Sequence, residues 1–373
     1  MKKYLLTLLI PLAIVIGVAG VNAAGGDAND PFLSLSYLTG LFRQQVETEV
    51  DSRVATADEA LTQTLQDELE VMEAAVRAAA AGAFAPSPVE CTLKQGDRLL
   101  GSTGLVVVPL AGEMTVSLSS GVLLDVTLGV EVSSGTVLTT NHRYIVAEDS
   151  NAVIEVTSPA AVLSYEGRYS MVLSQQSPDC YAIACGLREL GLFQGTGSAI
   201  GEGFELYRQP TRIESIVMFI RLIGEEEQAL SCQTKYPFTD VPAWASGYVS
   251  WAYQQGYSNG ISADKFGSQN LISAAEYMEL FLRATGYSAV GEDDYRTSLT
   301  RAAEHTIITA AEESALSADS FLRAHVVYLS YYGLDVVCNG TCRTVAENLQ
   351  SAGVFTASDY QTAKGLVKSH RIS

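Results

Sequence analysis

The apolar positions of this chain change period twice along its length. Over residues 35–84 they recur at steps of three and four: Val50, Val54, Ala57, Leu61, Leu65, Leu69, Met72, Val76 and Ala79. Side chains three and four apart share one face of a helix, so this spacing predicts a single apolar stripe. Gln, Glu and Asp fill the other positions, and no Gly or Pro falls between Gly40 and Gly82. Such a length exceeds the common range of globular helices. It predicts a coiled coil or helical stalk, or else a helical hairpin folded on its own domain. Pro86 and Pro88 lie just beyond its end.

Residues 89–176 change to the period of strands. Short runs rich in Val, Leu, Ile and Thr lie at 105–109, 114–118, 122–128, 136–138, 144–146 and 152–157, with turn glycines at 96, 101, 104, 112, 121, 129, 135 and 167. Many short strands at this spacing predict a small all-β module, a sandwich or a barrel. His142 has no second histidine near it and reads as a turn residue.

From residue 179 the helical period returns, and the chain repeats. Gly191 and Gly195 line up with Gly256 and Gly260; Thr211, Arg212 and Glu214 line up with Ser273, Ala274 and Glu276. Phe219, Arg221 and Gly224 then match Phe281, Arg283 and Gly286 without a gap. The copies span 179–224 and 236–287, and a third, more diverged copy runs over 293–333. A tail at 334–373 reads as further short helices. Each unit is helix, loop, helix, and such units bury their apolar faces by packing on one another.

Ahead of these segments, Lys2 and Lys3 precede an apolar run over 4–21, and Val21-Asn22-Ala23 follows as a small-x-small site. Residues 1–23 read as an export signal and 24–34 as a spacer. An uncleaved membrane anchor is the alternative, since the run approaches spanning length. Pro11, Gly17 and Gly20, and the lack of a basic flank, favour cleavage.

Charge narrows the function. The chain carries 23 Lys and Arg against 42 Asp and Glu, a net −19. That field repels polyphosphate backbones, so no nucleic-acid partner is expected. Six cysteines, Cys91, Cys180, Cys185, Cys232, Cys338 and Cys342, form an even set that fits disulfides in an exported chain, and Cys338 and Cys342 are spaced to close a small loop. There is no Cys-x-x-Cys pair and the four histidines do not cluster with the cysteines, so neither metal nor cofactor is called for. The β segment lacks Gly-x-Ser-x-Gly and His-Glu-x-x-His, and the spacing of its carboxylates carries no signal. A wall hydrolase is the enzymatic alternative; the expectation is a non-catalytic protein.

One segment is more specific. Phe238, Asp240, Val241, Trp244 and Ala245 are followed by an apolar helix and by Gly256 to Gly260, then by Phe266-Gly267, Ser273 to Glu276, and Leu282 to Gly286. This order resembles the S-layer homology (SLH) repeat, and the resemblance covers residues 179–333. It implies an α-helical pseudo-trimer. The full expectation is thus an α+β multidomain chain: long amphipathic helix, small all-β module, SLH-like trimer. It also implies an exported protein on the cell surface or wall of a bacterium of Gram-positive type. Such a protein is held by a secondary cell-wall polysaccharide, often carrying a pyruvylated amino sugar, in grooves between repeats. By resemblance, Arg212 faces the anionic group of the sugar, Asp240 bonds its hydroxyls or N-acetyl amide, and Trp244 offers a ring face. Thr211, Glu214, Glu276 and Arg323, at the remaining motif positions, complete the expected ligand-binding set.

Physics accounts for part of that motif without a ligand. Thr211 with Glu214, and Ser273 with Glu276, each have capping-box spacing. Asp240 before Val-Pro can equally be a cap or turn residue. Arg212 is different, because a cation in a first helical turn opposes the dipole, while its planar fork suits a carboxylate or phosphate. The copies also depart from the family: Ala274 stands where an Arg belongs, and the third copy reads Leu322-Arg323-Ala324-His325. The first copy lacks a Phe-x-Asp-Val entry, and Thr300 to Glu304 only imitates the motif, with its Glu one residue too far. A repeat array that has lost the polymer and acts as a scaffold is the alternative, self-associating as a homo-oligomer through residues 50–79.

Overall fold

The computed structural model describes residues 40, 42–80, 83–288, 295–318, 320–369 and 371–372, with backbone only for 67–80. The segments expected to be an export signal and a spacer, and the first residues of the third copy, lie outside the described residues. The chain divides into two units, Met1–Val76 and Arg77–Ser373.

Helix α1, Arg43–Ala80, is one unbroken helix of 38 residues, so the hairpin alternative is not formed. Ion pairs Arg43–Glu47 and Arg53–Glu49, both at 2.7 Å, lie along it at i,i+4 spacing. Such pairs add only a few tenths of a kcal/mol each, about 0.2–0.5. Its apolar stripe is open: Val50, Val54, Leu61 and Leu65 are 51%, 61%, 57% and 57% exposed.

The second unit begins with nine strands: β1 Phe84–Lys94, β2 Arg98–Ser102, β3 Val106–Ala111, β4 Met114–Ser120, β5 Leu123–Asp125, β6 Val130–Val132, β7 Tyr144–Val146, β8 Asn151–Val156 and β9 Ala160–Val172. They form one antiparallel sheet ordered β4-β8-β2-β9-β3-β7-β5-β6, with β1 also on β9. Strand β9 makes the sheet curl. It pairs with β1 and β3 as far as Arg168 and with β2 from Tyr169 onward. Gly167 sits at that change of partners with φ +110°, and a Cβ there would stand 2.8 Å from the Gly104 carbonyl oxygen. Only glycine bends a strand so sharply at such close approach. The sandwich or barrel expected from the strand spacing is therefore a curled half-barrel. His142 is a turn residue, its Nδ1 2.7 Å from Asp125 Oδ2.

Alternation along β9 ties this sheet to the helices. Ala161, Leu163 and Tyr165 pack inside the curl with Leu99, Val107, Met114 and Ile154. Ala160 and Val162 point the other way, into the helical core beside Tyr181 and Ile183. The Gly201 N–H also donates to Glu90 Oε1 at 3.1 Å.

Ten helices follow among the described residues. In the first copy these are α2 Cys180–Glu189 and α3 Arg212–Leu222, with α4 Glu226–Ser231 after it. The second has α5 Ser246–Gln254 and α6 Ala274–Ala284; the third has α7 Ser298–Glu304, α8 Ala310–Ala318 and α9 Arg323–Gly333. The tail is α10 Val345–Ser351 and α11 Ala357–Leu366. The first helices of the three copies end alike. Leu192 donates to the Leu187 carbonyl, Tyr257 to Ala252 and Ile307 to Ala302, at 2.9, 2.9 and 2.8 Å. Each closure needs a left-handed residue, supplied by Gly191, Gly256 and, in the eroded third copy, Thr306 at φ +57°. The tail returns to the first copy, where the Asp179 N–H donates to Ser369 Oγ at 2.9 Å.

Gly167→Ala is expected to lower stability by roughly 2 kcal/mol or more, through a strained φ and a backbone clash. The urea midpoint of the purified chain reads this; an unchanged midpoint would show that β9 does not depend on the bend.

Candidate functional site

The site is built where α3 meets the loop of the second copy. Thr211 caps α3: its Oγ1 accepts from the Glu214 N–H at 3.4 Å, and Glu214 Oε2 accepts from the Thr211 N–H at 2.8 Å. Ser273 and Glu276 make the same reciprocal box at α6, at 3.2 and 2.9 Å. The first two N–H groups of α3 reach across to the next copy, Arg212 to the Asn270 carbonyl at 2.7 Å and Ile213 to that of Ser268 at 3.4 Å. This joint fixes Arg212 at the mouth between two repeats.

The Arg212 side chain is 18% exposed. Nη1 donates to Glu276 Oε1 and Nη2 to Ser258 Oγ, both at 3.1 Å. The group lies over the Phe266 ring, 5.5 Å from its centroid, and Nε is buried with no hydrogen-bond partner. Burial pushes its pKa down, and the Glu276 carboxylate works against that. Arginine's ordinary pKa is far above neutrality, so the cation persists. Beside it opens a cleft of about 480 Å³, lined by Arg212, Glu276, Tyr257, Ser258, Gly260 and Tyr295 among others. The cleft thus offers two arginines, two carboxylates in Glu276 and Glu279, a hydroxyl, two aromatic residues and a Gly turn, a set suited to binding a polar ligand.

Of the other motif residues, Asp240 serves the loop. Its carboxylate accepts from the N–H groups of Phe266, Gly267 and Ser268 at 2.7, 2.8 and 3.2 Å. Burial opposes its ionisation, but these backbone donors outweigh burial and hold its pKa below the usual range. Asp240 therefore positions the turn that carries Phe266 under Arg212 and Asn270 against α3; it does not line the cleft. Trp244 lies in a short 3₁₀ turn, 59% exposed, and does not line the cleft either. Trp251 is buried and stacks on Tyr257 with ring centroids 5.6 Å apart. Glu214 is taken up by Arg208 in a two-pronged contact at 2.9 and 2.5 Å. Arg323, at the start of α9, is 3% exposed.

So the fold brings Arg212 and Glu276 together, places Thr211 and Glu214 in the cap, and sets Asp240 behind the loop. Ser258, Phe266 and Asn270 complete the setting of Arg212; the motif reading named Phe266 only as a motif position and did not single out Ser258 or Asn270. Ser258 lies within the aligned Gly256–Gly260 turn, where the glycines alone drew attention. Among the described residues no cluster of three or more His, Cys, Asp or Glu could hold a metal ion. The six cysteines are unpaired, and burial raises the Cys91 and Cys180 thiols to about 12. Among the described residues no helix is long and apolar enough to cross a membrane.

No family model matches the chain. It is similar to the middle cell wall protein of Brevibacillus brevis, 28% identical over 162 residues. That match covers 40% of this chain and 15% of the relative's length. The likeness to SLH repeats therefore stands on the motif residues.

Two outcomes follow from the cap and the loop. Asp240→Ala strands three N–H donors and is expected to cost about 2–4 kcal/mol, read by urea unfolding; a loss under about 0.5 kcal/mol would mean that the turn holds itself. The second concerns pH. Burial raises the Glu214 pKa, but Arg208 and the Thr211 N–H overcome this and depress it from 4.5 to about 2. A carboxylate depressed on folding stabilises the native state above its unfolded pKa, and that contribution is lost as pH falls through the folded value. The stability difference between wild type and Glu214→Gln should thus be full above pH 5 and shrink steadily toward pH 2. A pH-independent difference in thermal melts would contradict the ion pair.

Proposed function

We propose that this chain is a non-catalytic bacterial cell-surface protein, anchored when its helical repeats bind an acidic cell-wall polysaccharide in the Arg212 cleft. One observation carries the reading: a mostly buried arginine at the first turn of a helix, lining an open cleft between repeats, with its buried Nε–H unpartnered. A helix does not require that residue there, and the pair with Glu276 leaves the buried Nε–H unsatisfied beside open space, so a ligand is the reason proposed for it. An acidic sugar, such as a pyruvylated amino sugar, matches the fork with its carboxylate and matches Ser258 and the Gly turn with its hydroxyls and amide. Tyr257 and Tyr295 offer ring surface for the sugar body. Similarity to a cell wall protein agrees with a wall location. Export through residues 1–23 belongs to the same proposal.

The test is sedimentation of the full mature chain with wall sacculi bearing a pyruvylated polymer, beside sacculi stripped of it. Pelleting with intact sacculi only, weakened roughly tenfold or more by Arg212→Ala, is the expected result. Equal pelleting of wild type and variant would remove the cleft from the account.

A second reading, an oligomeric scaffold, is favoured by the solvent-exposed stripe Val50, Val54, Leu61 and Leu65 on α1. If the stripe is a seam between copies, Leu61→Asp with Leu65→Asp lowers the mass measured by light scattering. An unchanged mass would dismiss it.

A further inference from the structure

We infer that, of the two joints built around a first-turn arginine, the one at Arg212 is an open groove and the corresponding one between the third and first copies is shut, with Arg323 serving there as a pin that locks the two copies together. The ligand assignment rests on the proposed wall anchoring; the shut groove does not.

Correspondence between the two joints is set by the main chain. At the first joint the N–H groups of Arg212 and Ile213 donate to the carbonyls of Asn270 and Ser268; at the other, Arg323 and Ala324 donate to Arg208 and Leu206, at 2.9 and 3.0 Å. Asn270 thus corresponds to Arg208, and Phe266 to Phe204. The aligned glycines make Ser258 correspond to Phe193, and the caps make Glu276 correspond to Glu214.

These substitutions change the chemistry. Where Arg212 finds the Ser258 hydroxyl, Arg323 lies over the Phe193 ring, 5.4 Å from its centroid. Phe193 is 2% exposed and packs on Phe204 with centroids 5.7 Å apart, so it fills the space that the first joint leaves open. Where Glu276 pairs with Arg212, Glu214 is occupied by Arg208. Arg323 instead gives Nε to the Phe204 carbonyl at 2.9 Å and Nη1 to Met218 Sδ at 3.4 Å, and among the described residues it makes no ion pair. A carbonyl, a thioether and a ring face partly compensate a buried cation and leave no room for an anion. An entering sugar would have to expel Phe193 from the core and break the Arg208–Glu214 contact. At the remaining joint, Ala274 supplies no cation. Among the described residues the three copies therefore provide one site headed by an arginine, which sets the attachment through these grooves at one sugar unit.

The test has a ligand-free arm. Phenylglyoxal, which modifies accessible guanidinium groups, is applied to the full chain, and the sites are mapped by mass spectrometry. Arg212 should react roughly tenfold or more faster than Arg323, whose access requires local opening; equal rates would overturn the shut groove. In the Phe193→Ser/Arg208→Asn variant, which copies the open joint, the Arg323 rate should rise toward that of Arg212. If this variant does not fold by circular dichroism, the wild-type rates decide. Calorimetry with short oligosaccharides released from the pyruvylated polymer reads the stoichiometry: one site in wild type, lost in Arg212→Ala, and two sites in the opened variant. Two sites in wild type, or half the binding kept by Arg212→Ala, would overturn the inference. No binding to either form, with the contrast in modification intact, would reject the wall-anchoring reading and leave the shut groove standing.

Discussion

The repeats depend on how two helices begin. An α-helix leaves its first N–H groups without partners, and burying them unpaired would cost several kcal/mol in total, about 1–3 each. Here α3 and α9 give their leading N–H groups to carbonyls of the neighbouring copy. The same bonds that complete the helix also join the repeats. Capping boxes at Thr211 and Ser273 satisfy the third helical N–H of α3 and α6 and the N–H of the cap residue itself. At α9 the Leu322 N–H is received by His325 Nδ1 at 3.0 Å, an imidazole in the place of the usual carboxylate.

Because the joint is made by the first turn, whatever stands at the first helical position sits between repeats. That is why an arginine there can face a cleft, and why its neighbours decide what it does. Arg212 meets a hydroxyl and a carboxylate beside open space. Arg323 meets a phenyl ring, a carbonyl and a thioether in the core. One residue type at equivalent positions faces an open cleft in the first case and packs into the core in the second.

The buried acids show the same economy of scaffold. Glu279, 3% exposed, accepts from Arg283, Arg301, Ser288 and Ser298 and so joins the second copy to the third. Glu312, 1% exposed, accepts from Arg371 at 2.6 and 2.8 Å and fastens the tail. Each removes a charge from water and returns it to a set of donors, the condition under which a buried carboxylate is tolerated. The curled sheet enters the same core through Ala160 and Val162.

Local physics was legible in the sequence. Period gave the long helix, the β segment and the helical copies, because helix and strand each impose their spacing on apolar residues within a few positions. The capping boxes and left-handed glycines were likewise local, and the SLH-like order of Phe238 to Gly286 pointed to Arg212 and to the turn beside it. What the tertiary structure alone decided depends on contacts between residues far apart in the chain. The curl of the sheet depends on one strand changing partners at Gly167. The task of Asp240 follows from three N–H groups more than twenty positions away. The difference between Arg212 and Arg323 lies in Ser258 against Phe193, and in Asn270 against Arg208, residues that no spacing rule connects to either arginine.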